Sequence, residues 1–435
     1  MISAHIERSG MLTKFNAVYH DYPRLFWTVV GISFVDRVGG TMLFPFFALY
    51  ITQKFNVGMM QAGFLLGMMS LFGLFGGMIG GALTDRIGRK ALILFGLVFS
   101  ALSTLTFGLV TEISMMYPLV IIVGLIGNIS HPAHDAMIAD ILPEQKRQEG
   151  FGILRVVGNL AWIIGPVIGG FVAGNFDFFY LFVIDAVVSC VVAALFFRML
   201  PETKPQVKHE AGAPHPEPES MGQFLLGYFK VFRDVAFLAF IVANMLMLLV
   251  YQQMYGTLSV FLRDVHGLDP QNYGILMTFS AITVVIFQFS VSRWLRNKPP
   301  FLMMGLGSIF FMLGFSMFGF VSVYLLFGLA LIVITIGEMI VFPVSQGLAA
   351  NFAPEAMRGR YMAVFGLSWA IPQTVGMGAA GYILDNYNPY LLWYIGGGLA
   401  ALSALSYYTL HLRLRKQERF ARRAPNNEPV IAPTD

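Results

Sequence analysis

Long runs of apolar residues, separated by short polar connections, recur along the whole chain of 435 residues. A helix needs about 20 consecutive apolar residues to cross the hydrocarbon core of a bilayer. Twelve runs of about this length are present, at 25–51, 60–83, 91–110, 115–140, 150–174, 178–200, 236–262, 272–294, 301–320, 323–350, 361–384 and 390–412. The pattern therefore predicts an all-α membrane protein with twelve transmembrane helices.

One connection is much longer than the others and divides the spans into two groups of six. Residues 201–220 are rich in proline, glutamate and lysine, and a segment of this composition cannot bury a core. The segment from Met221 to Asp234 is amphipathic, which predicts a helix lying on the membrane surface. The predicted regions are an N-terminal segment 1–24, a six-helix bundle 25–200, a linker 201–235, a second six-helix bundle 236–413 and a basic tail 414–435.

The composition agrees with a membrane protein. Hydrophobic residues make up 57% of the chain and charged residues only 12%, whereas soluble domains carry about 25% charged residues. A chain this apolar cannot cover itself with polar groups in water, so the lipid bilayer is its expected partner. The one cysteine, Cys190, excludes an intrachain disulfide.

Lysine and arginine residues are distributed unequally between the two sides of the predicted membrane. Of the 28 in the chain, only Lys54 and Arg263 fall on the side opposite the termini, and Arg37 lies inside the first span. Positive charge collects on the cytoplasmic side, which predicts a multi-pass protein of the cell membrane with both termini cytoplasmic. Because the basic residues are spread over many short segments, nucleic acid is not an expected partner.

The two groups of spans repeat each other in sequence. The segment from Pro132 to Arg147 aligns with the segment from Pro343 to Arg358 at an offset of 211 residues. Each half holds an even number of spans, so the repeats are parallel about an axis along the membrane normal, and a binding site is expected between them.

A polar loop between the second and third spans carries a recognisable motif. Its characteristic residues are Gly81, Asp85, Arg86, Gly88, Arg89 and Lys90. This loop resembles the signature loop of the major facilitator superfamily, and the whole chain is similar to that superfamily in helix number and long central linker. The resemblance implies the major facilitator fold and a gating role for this motif at the cytoplasmic face, together with Asp140.

Two further segments resemble the drug/proton antiporter branch of the superfamily. Gly165, Pro166, Gly169 and Gly170 in the fifth span match its Gly-Pro motif, although Ala161 replaces the first glycine. The arginine usual in the fourth span of that branch is absent. The segment around Glu338 in the tenth span resembles one whose glutamate binds protons or cationic substrates, which implies the same role here.

Several polar residues lie inside predicted spans, where a charged side chain costs roughly 2.5–3.5 kcal/mol on insertion scales. They are Asp36 and Arg37 in the first span, His131, His134 and Asp135 in the fourth, Asp185 in the sixth and Glu338 in the tenth. The seventh span, which repeats the first, holds Tyr251, Gln252, Gln253 and Tyr255. Apart from Asp185, which is expected to be structural, all lie on the four spans that line the central cavity in the superfamily. We predict that they form the proton-coupling or substrate site.

Each of these residues also has a structural interpretation. An apolar environment disfavours an ionised carboxylate, so Glu338 is a candidate proton carrier or a permanently protonated hydrogen-bond donor. Arg37 either pairs with a carboxylate such as Asp135 or Glu338, or holds an anionic substrate group. His131 and Asp135 share a helix face and either relay a proton or pack the helix. No metal and no cofactor is predicted.

Two functions are compatible with these residues. The first is a proton-coupled antiporter, working by alternating access, that exports amphipathic or cationic compounds in the manner of multidrug efflux. The alternative is a proton-coupled symporter or facilitator for a small polar or anionic metabolite. No catalytic constellation stands out and no phosphate-binding loop exists, so an enzyme and a nucleotide-driven pump are not expected. The expected partners are a small-molecule substrate and protons, and the expected state is a monomer.

Overall fold

The computed structural model of the protein describes residues 19–204, 228–296, 298–354 and 357–415, and within them it contains helices and no strands. The α-helices are α1 Arg24–Leu43, α2 Phe47–Phe55, α3 Met59–Ile87, α4 Arg89–Leu109, α5 Ile113–Gly127, α6 His131–Ile141, α7 Glu144–Asn175, α8 Phe179–Met199, α9 Val235–Tyr251, α10 Thr257–His266, α11 Pro270–Leu295, α12 Pro300–Met317, α13 Tyr324–Phe352, α14 Arg358–Asn386 and α15 Tyr390–Leu414. Short 3-10 turns, Phe44–Phe46 and Gln252–Met254, join α1 to α2 and α9 to α10.

Ten of the described helical segments are long and apolar enough to cross a membrane. The helices α14 and α15 are not among them, although they contain 29 and 25 residues. Each carries tyrosine, tryptophan, serine or glutamine within its length, which lowers its mean hydropathy. Both pack inside the helix bundle, α14 against α3 and α15 against α12, where a helix face need not be apolar. The count of twelve spans stays a prediction.

Three of the predicted spans are interrupted near their middle or outer part. The fourth span is divided into α5 and α6, with Pro132 in the first turn of α6. Proline lacks an N–H group and fixes its backbone, so it begins a helix more readily than it continues one. Pro45 likewise lies in the 3-10 turn of the first span, and the seventh span breaks at the corresponding turn, Gln252–Met254. Of the predicted surface helix, residues 221–227 lie outside the described residues, and 228–233 are helical.

The helices pack into two bundles that follow the order of the chain. In the first, α1 packs against α7 and α8, α3 against α5, and α4 against α8. In the second, α12 packs against α13 and α15, α9 against α14 and α15, and α11 against α13. The extensive contacts between the bundles are made by two pairs of helices, α3 with α14 and α7 with α11.

In the part of the chain that the structure describes, the two bundles come to backbone distance at one end. A Cβ added to Gly63 or Gly67 of α3 would collide with the backbone of Met377 or Thr374 in α14. Such close approach of two backbones requires glycine. At the other end of the same helices, Gly81 and Gly359 have nothing within 4 Å of an added Cβ. We call the end that contains Gly63 and Gly67 the closed end. The end that contains Gly81 and Gly359 is the open end, and the described part of the chain begins and ends there.

The second pair of helices behaves in the same way. Gly274, near the start of α11, lies against the carbonyl of Pro166 and against Gly170 in α7, and Thr278 donates a hydrogen bond to the carbonyl of Ile163 at 3.2 Å. Near the other end of α7, an added Cβ on Gly152 would meet nothing within 4 Å. The bundles therefore diverge towards the open end along both helix pairs.

A carboxylate joins the two bundles at the closed end. Asp385, near the end of α14, accepts hydrogen bonds from the backbone N–H groups of Met59 at 2.8 Å and Met60 at 2.7 Å. These are free N–H groups in the first turn of α3, whose N-cap residue, Gly58, has no side chain to satisfy them. Asp385 thus caps α3 from the opposite bundle, and it also meets the positive end of the helix dipole.

We expect Asp385→Ala to loosen the closed end, because two free N–H groups lose their acceptor. A cap of this type contributes about 1 kcal/mol, which corresponds to an increase of about fivefold in the population that opens there. The measurement is the labelling rate of a cysteine placed at Gly378, whose Cβ would lie 3.7 Å from the Phe64 nitrogen inside the contact, with Cys190 replaced by serine. Asp385→Asn, which keeps one acceptor oxygen, should give an intermediate rate. Equal rates in all three proteins would show that the bond does not hold this end.

Candidate functional site

A cavity of about 270 Å³ lies between the two bundles. Phe44, Asn159 and Trp162 line it from the first bundle, and Tyr251, Gln252, Met254, Tyr255, Met277, Ser280, Ala281, Val284, Glu338 and Trp369 line it from the second. The helices α7, α9, α11, α13 and α14 thus contribute to it, together with the 3-10 turns that interrupt the first and seventh spans. These turns place Phe44 and Gln252 on its wall.

Glu338 is the carboxyl group of this cavity. The phenol of Tyr251 is its neighbour in the cavity wall, and the hydroxyls of Tyr251 and Tyr255 lie 3.0 Å apart. Among the described residues, Glu338 has no salt bridge. The charge that acts on it most directly is the guanidinium of Arg155, which belongs to α7 of the opposite bundle. The cavity therefore holds a carboxyl group that no basic side chain neutralises by direct contact.

Aromatic rings surround this carboxyl group. The rings of Trp162 and Tyr255 have centroids 4.9 Å apart, and Phe44 lies 6.4 Å from each of them. On the other side, the ring of Tyr251 lies 6.4 Å from that of Trp369. The faces of aromatic rings attract cations, especially where water is excluded. The carboxyl group and the rings together form a surface suited to an organic cation.

The two glutamines of the seventh span have different environments. Gln252 lines the cavity. The Gln253 amide donates a hydrogen bond to the carbonyl of Leu249 at 2.8 Å, and its oxygen accepts one from Thr257 at 3.1 Å. Gln253 thus satisfies its amide within the turn and is not among the residues that line the cavity. Gln253 packs against α14 near Gly376 instead.

The charged residues of the first and fourth spans form a separate cluster on the first bundle, in which Arg37, His131 and Asp135 are exposed. His131 and Arg37 act electrostatically on both Asp36 and Asp135, and also on His134. None of the five lines the cavity that contains Glu338. Within the described part of the chain, their side chains make no hydrogen bonds or salt bridges, and no group of three or more His, Cys, Asp and Glu residues is arranged to hold a metal ion.

Two contacts connect this cluster to its surroundings. The guanidinium of Arg37 lies beside Gly158 of α7, where an added Cβ would be 3.0 Å from Nη1, so a side chain at 158 would displace it. Asp185 of α8 is buried, accepts a hydrogen bond from Thr104 at 3.0 Å and packs against Gly39. Asp185 thus has a structural partner, whereas Arg37 forms no salt bridge with any residue that the structure describes.

The motif between the second and third spans is organised around a buried ion pair. Arg89 Nε lies 2.9 Å from Asp140 Oδ2, and their side chains are only 10% and 17% exposed. A second Arg89 nitrogen donates to the carbonyl of Thr84 at 3.2 Å. These contacts join α3, α4 and α6 inside the first bundle, at the open end. The side chain of Asp85 lies outside the described structure.

Glu202, just after the sixth span, completes this arrangement. Its carboxylate accepts hydrogen bonds from the backbone N–H groups of Arg89 at 2.9 Å and Lys90 at 3.0 Å, and so caps α4. Gly88 before them has a φ of 107°, a left-handed conformation that favours glycine, and its Cα is close to the Glu202 carboxylate. The side chain of Lys90 donates to a carbonyl of α8 at 2.8 Å, and the carbonyl of Arg86 accepts from Lys204 at 2.9 Å.

The Gly-Pro motif of the fifth span packs α7 between two helices. Gly165 lies against Thr41 and Gly169 against Met42, both on α1. The carbonyl of Pro166 and the Cα of Gly170 face α11 of the other bundle. The motif therefore sets the distance of α7 from both neighbours and lines no part of the cavity itself.

Several residues of this region were not predicted from the sequence. Arg155 lies five residues into the predicted fifth span, a position that resembles a span end, and a basic residue there is easily assigned to the membrane surface. Glu202 was assigned to the linker because of its proline-rich context. The one feature of the sequence that could have indicated its role is that this carboxylate directly follows the sixth span, which ends beside the signature loop.

Comparison with known proteins gives a consistent result. The model of the family described as Major Facilitator Superfamily matches residues 29–377 and 303–432. The chain is 26% identical over 358 residues to a "Na(+), Li(+), K(+)/H(+) antiporter" of Planococcus maritimus, covering 77% of this chain and 83% of that one. It is 24% identical over 379 residues to "Multidrug resistance protein MdtH" of Shigella dysenteriae, covering 85% and 90%.

Solved structures share the fold. A POT family transporter in complex with 5-aminolevulinic acid superposes with a TM-score of 0.76 at 14% identity, over 91% of this chain and 97% of that one. The nucleoside transporter NupG superposes with a TM-score of 0.72 at 16% identity, over 89% and 99%. At these identities the likeness extends to the fold alone.

We expect Glu202 to make a pH-dependent contribution to stability. Partial burial acts to raise its pKa, but hydrogen bonds from the N–H groups of Arg89, Lys204, Lys90 and Thr203 outweigh this, so the pKa is lowered. Folding therefore favours the ionised form, and the stabilisation is fully present above the unfolded pKa of about 4.3 and is lost as the pH falls through the lower folded pKa.

Glu202→Gln should thus lower the melting temperature at pH 7, because the charged cap of α4 is lost. This cap contributes at most about 1 kcal/mol to the free energy of unfolding, since solvent screens it. The difference from the unsubstituted protein should shrink as the pH falls below about 4. Intrinsic fluorescence during heating of the detergent-solubilised protein measures it. Asp269→Asn is the control, since Asp269 is an N-cap residue of α11 whose side chain makes no cap hydrogen bond. A pH-independent difference for Glu202→Gln would contradict the assignment.

Proposed function

Because the chain belongs to the Major Facilitator Superfamily, and is therefore a transporter rather than an enzyme, we propose that it exchanges protons for cationic or amphipathic compounds across the cell membrane. It works by alternating access, with the two bundles rocking about the cavity between them. It uses no cofactor and functions as a monomer with both termini in the cytoplasm.

The observation that carries this proposal is the environment of Glu338. The carboxyl group lies between the bundles, without a salt bridge among the described residues, and is surrounded by Trp162, Tyr255 and Trp369. When ionised it attracts a cation, and the rings add to that attraction. When protonated it is neutral, and the attraction is greatly reduced. Proton and cation therefore compete for one site, which is the requirement for antiport.

The nature of the cation follows from the lining. Small metal cations prefer several oxygen ligands, whereas the cavity offers one carboxyl group, a few hydroxyls and amides, and many aromatic carbons. An organic cation with an apolar surface fits this chemistry better. The names of the two relatives, an antiporter of alkali cations and a multidrug resistance protein, are both compatible with export of cations, and the lining favours the second.

The conformation described above belongs to one stage of such a cycle. With the predicted orientation, the open end faces the cytoplasm and the closed end faces outward. The cavity would then accept its substrate from the cytoplasm. Opening to the outside requires the contacts of Asp385 with α3, and of Gly274 with α7, to break.

A second function is favoured by a different observation. Arg37 makes no side-chain hydrogen bond or salt bridge within the described part of the chain, and the charge of Arg155 acts on Glu338 from the opposite bundle. A zwitterionic or anionic metabolite would be held between such basic groups and the carboxyl group. In that case proton and substrate would favour each other's binding, and the protein would be a symporter or facilitator.

Proton flux in proteoliposomes with an internal pH dye distinguishes the two. On addition of tetraphenylphosphonium we expect proton movement in the opposite direction to the cation, and Glu338→Gln should reduce it at least tenfold, because the amide cannot exchange a proton. Glu112→Gln, at an exposed position whose carboxylate accepts a hydrogen bond from Ser114, is the matched control and should leave the flux unchanged. Proton movement in the same direction as a zwitterionic solute would instead establish symport and overturn the proposal.

A further inference from the structure

A second cavity, of about 310 Å³, lies beside the first on the other side of the space between the bundles. Its walls come from α3 and α14, with contributions from the first, fourth and seventh spans, namely Phe44, Leu66, Met69, Ser70, Gly73, Leu74, Asn128, Tyr255, Gly366, Trp369, Ala370, Gln373 and Met377. It lies where α3 and α14 begin to diverge, just beyond the contact of Gly67 with Thr374.

Three aromatic residues separate the two cavities. Phe44, Tyr255 and Trp369 line both of them. Because their side chains are shared, a ligand in one cavity contacts the same rings as a ligand in the other. A single molecule that crosses between these rings would therefore occupy both.

The chemistry of the second cavity differs from that of the first. No ionisable side chain other than the Tyr255 phenol lines it, so a charged group placed there would lose its hydration without compensation. Its polar groups are the amides of Asn128 and Gln373 and the hydroxyl of Ser70. The Gln373 amide has no hydrogen-bond partner in the described part of the chain, and the Asn128 amide nitrogen donates weakly to Gly124 at 3.3 Å.

The apolar part of the wall can adapt to different shapes. Met69 and Met377 are flexible and polarisable, and methionine makes favourable contacts with aromatic rings. Pockets for drug-sized ligands span roughly 300–1,000 Å³. Each cavity alone is at or near the lower limit of that range, whereas the two volumes together fall well within it.

We infer that the two cavities form one bipartite site, in which the substrate's cationic head lies beside Glu338 and an uncharged aromatic tail with a hydrogen-bonding group lies between α3 and α14. The inference rests on the proposed function for the placement of the head. It adds the class of substrate: an organic monocation whose tail carries an ester, amide or hydroxyl group that meets Asn128 and Gln373.

Two probes with the same head test the inference. Tetramethylammonium supplies the head alone, and benzoylcholine supplies the same trimethylammonium head with an uncharged aromatic ester tail. Calorimetric titration of the purified full-length protein in detergent measures the binding of both. The unsubstituted protein should bind benzoylcholine at least tenfold more tightly than tetramethylammonium.

Gly366→Leu is the variant that closes the second cavity. Gly366 lines this cavity and a Cβ there would meet nothing within 4 Å, so we expect the leucine side chain to occupy part of the cavity. It should remove the tenfold preference for benzoylcholine and leave tetramethylammonium binding unchanged. Gly398→Leu on α15, where an added Cβ also meets nothing within 4 Å and no cavity is lined, is the control and should leave both affinities unchanged. Gln373→Leu should reduce the preference about three- to tenfold.

The outcomes separate this inference from the proposed function. A preference for benzoylcholine that survives Gly366→Leu overturns the bipartite site and leaves the proposed function intact, provided that Glu338→Gln weakens the binding of both cations. If Glu338→Gln changes neither affinity, or if neither cation binds, the head is not held at Glu338 and the proposed function fails together with the inference.

Discussion

The close approach of the two bundles at one end is the constraint on which the rest of the structure depends. It is made by glycines that bring α3 against α14 and α7 against α11 at backbone distance, and by one carboxylate that reaches from α14 to the first turn of α3. Because both contacts lie at the same end, the helices diverge beyond them. The cavities occupy the space that this divergence creates, and their walls come from both bundles for the same reason.

The charges of the central region are divided unequally between the bundles. The first contributes Arg155 and, further from the cavity, the cluster around Arg37, whereas the second contributes the single carboxyl group of Glu338. Arg155 and Glu338 belong to different bundles, so rocking of the bundles in the proposed cycle would change their separation and therefore their interaction. In that cycle the conformation would set the electrostatic environment of the carboxyl group, and proton binding would depend on which side of the membrane is open.

The family and the helical fold could be predicted from the sequence because both have local signals. Apolar runs indicate spans, and the loop from Gly81 to Lys90 indicates the superfamily, which the family match confirmed. A charge in the middle of an apolar run, such as Glu338, is equally visible. The aromatic wall and the second cavity have no such signal, since Trp162, Asn128 and Gln373 are separated by long stretches of chain and meet only through helix packing. Asp385 and Glu202 also escaped prediction, because each binds backbone groups that are remote in sequence and carry no residue signature.

The bond between Asp385 and α3 has an evolutionary consequence. Because it uses only main-chain N–H groups, it places no requirement on the side chains at positions 59 and 60, and any residue except proline supplies the same donors. Substitution at the exposed position 60 therefore leaves the bond intact. Insertion or deletion of a single residue there is different, because it would rotate the helix by about 100° and turn these donors away. The bond therefore constrains the length of this segment and leaves the side chain at the exposed position 60 free to vary, whereas Met59 is constrained by its burial in the core.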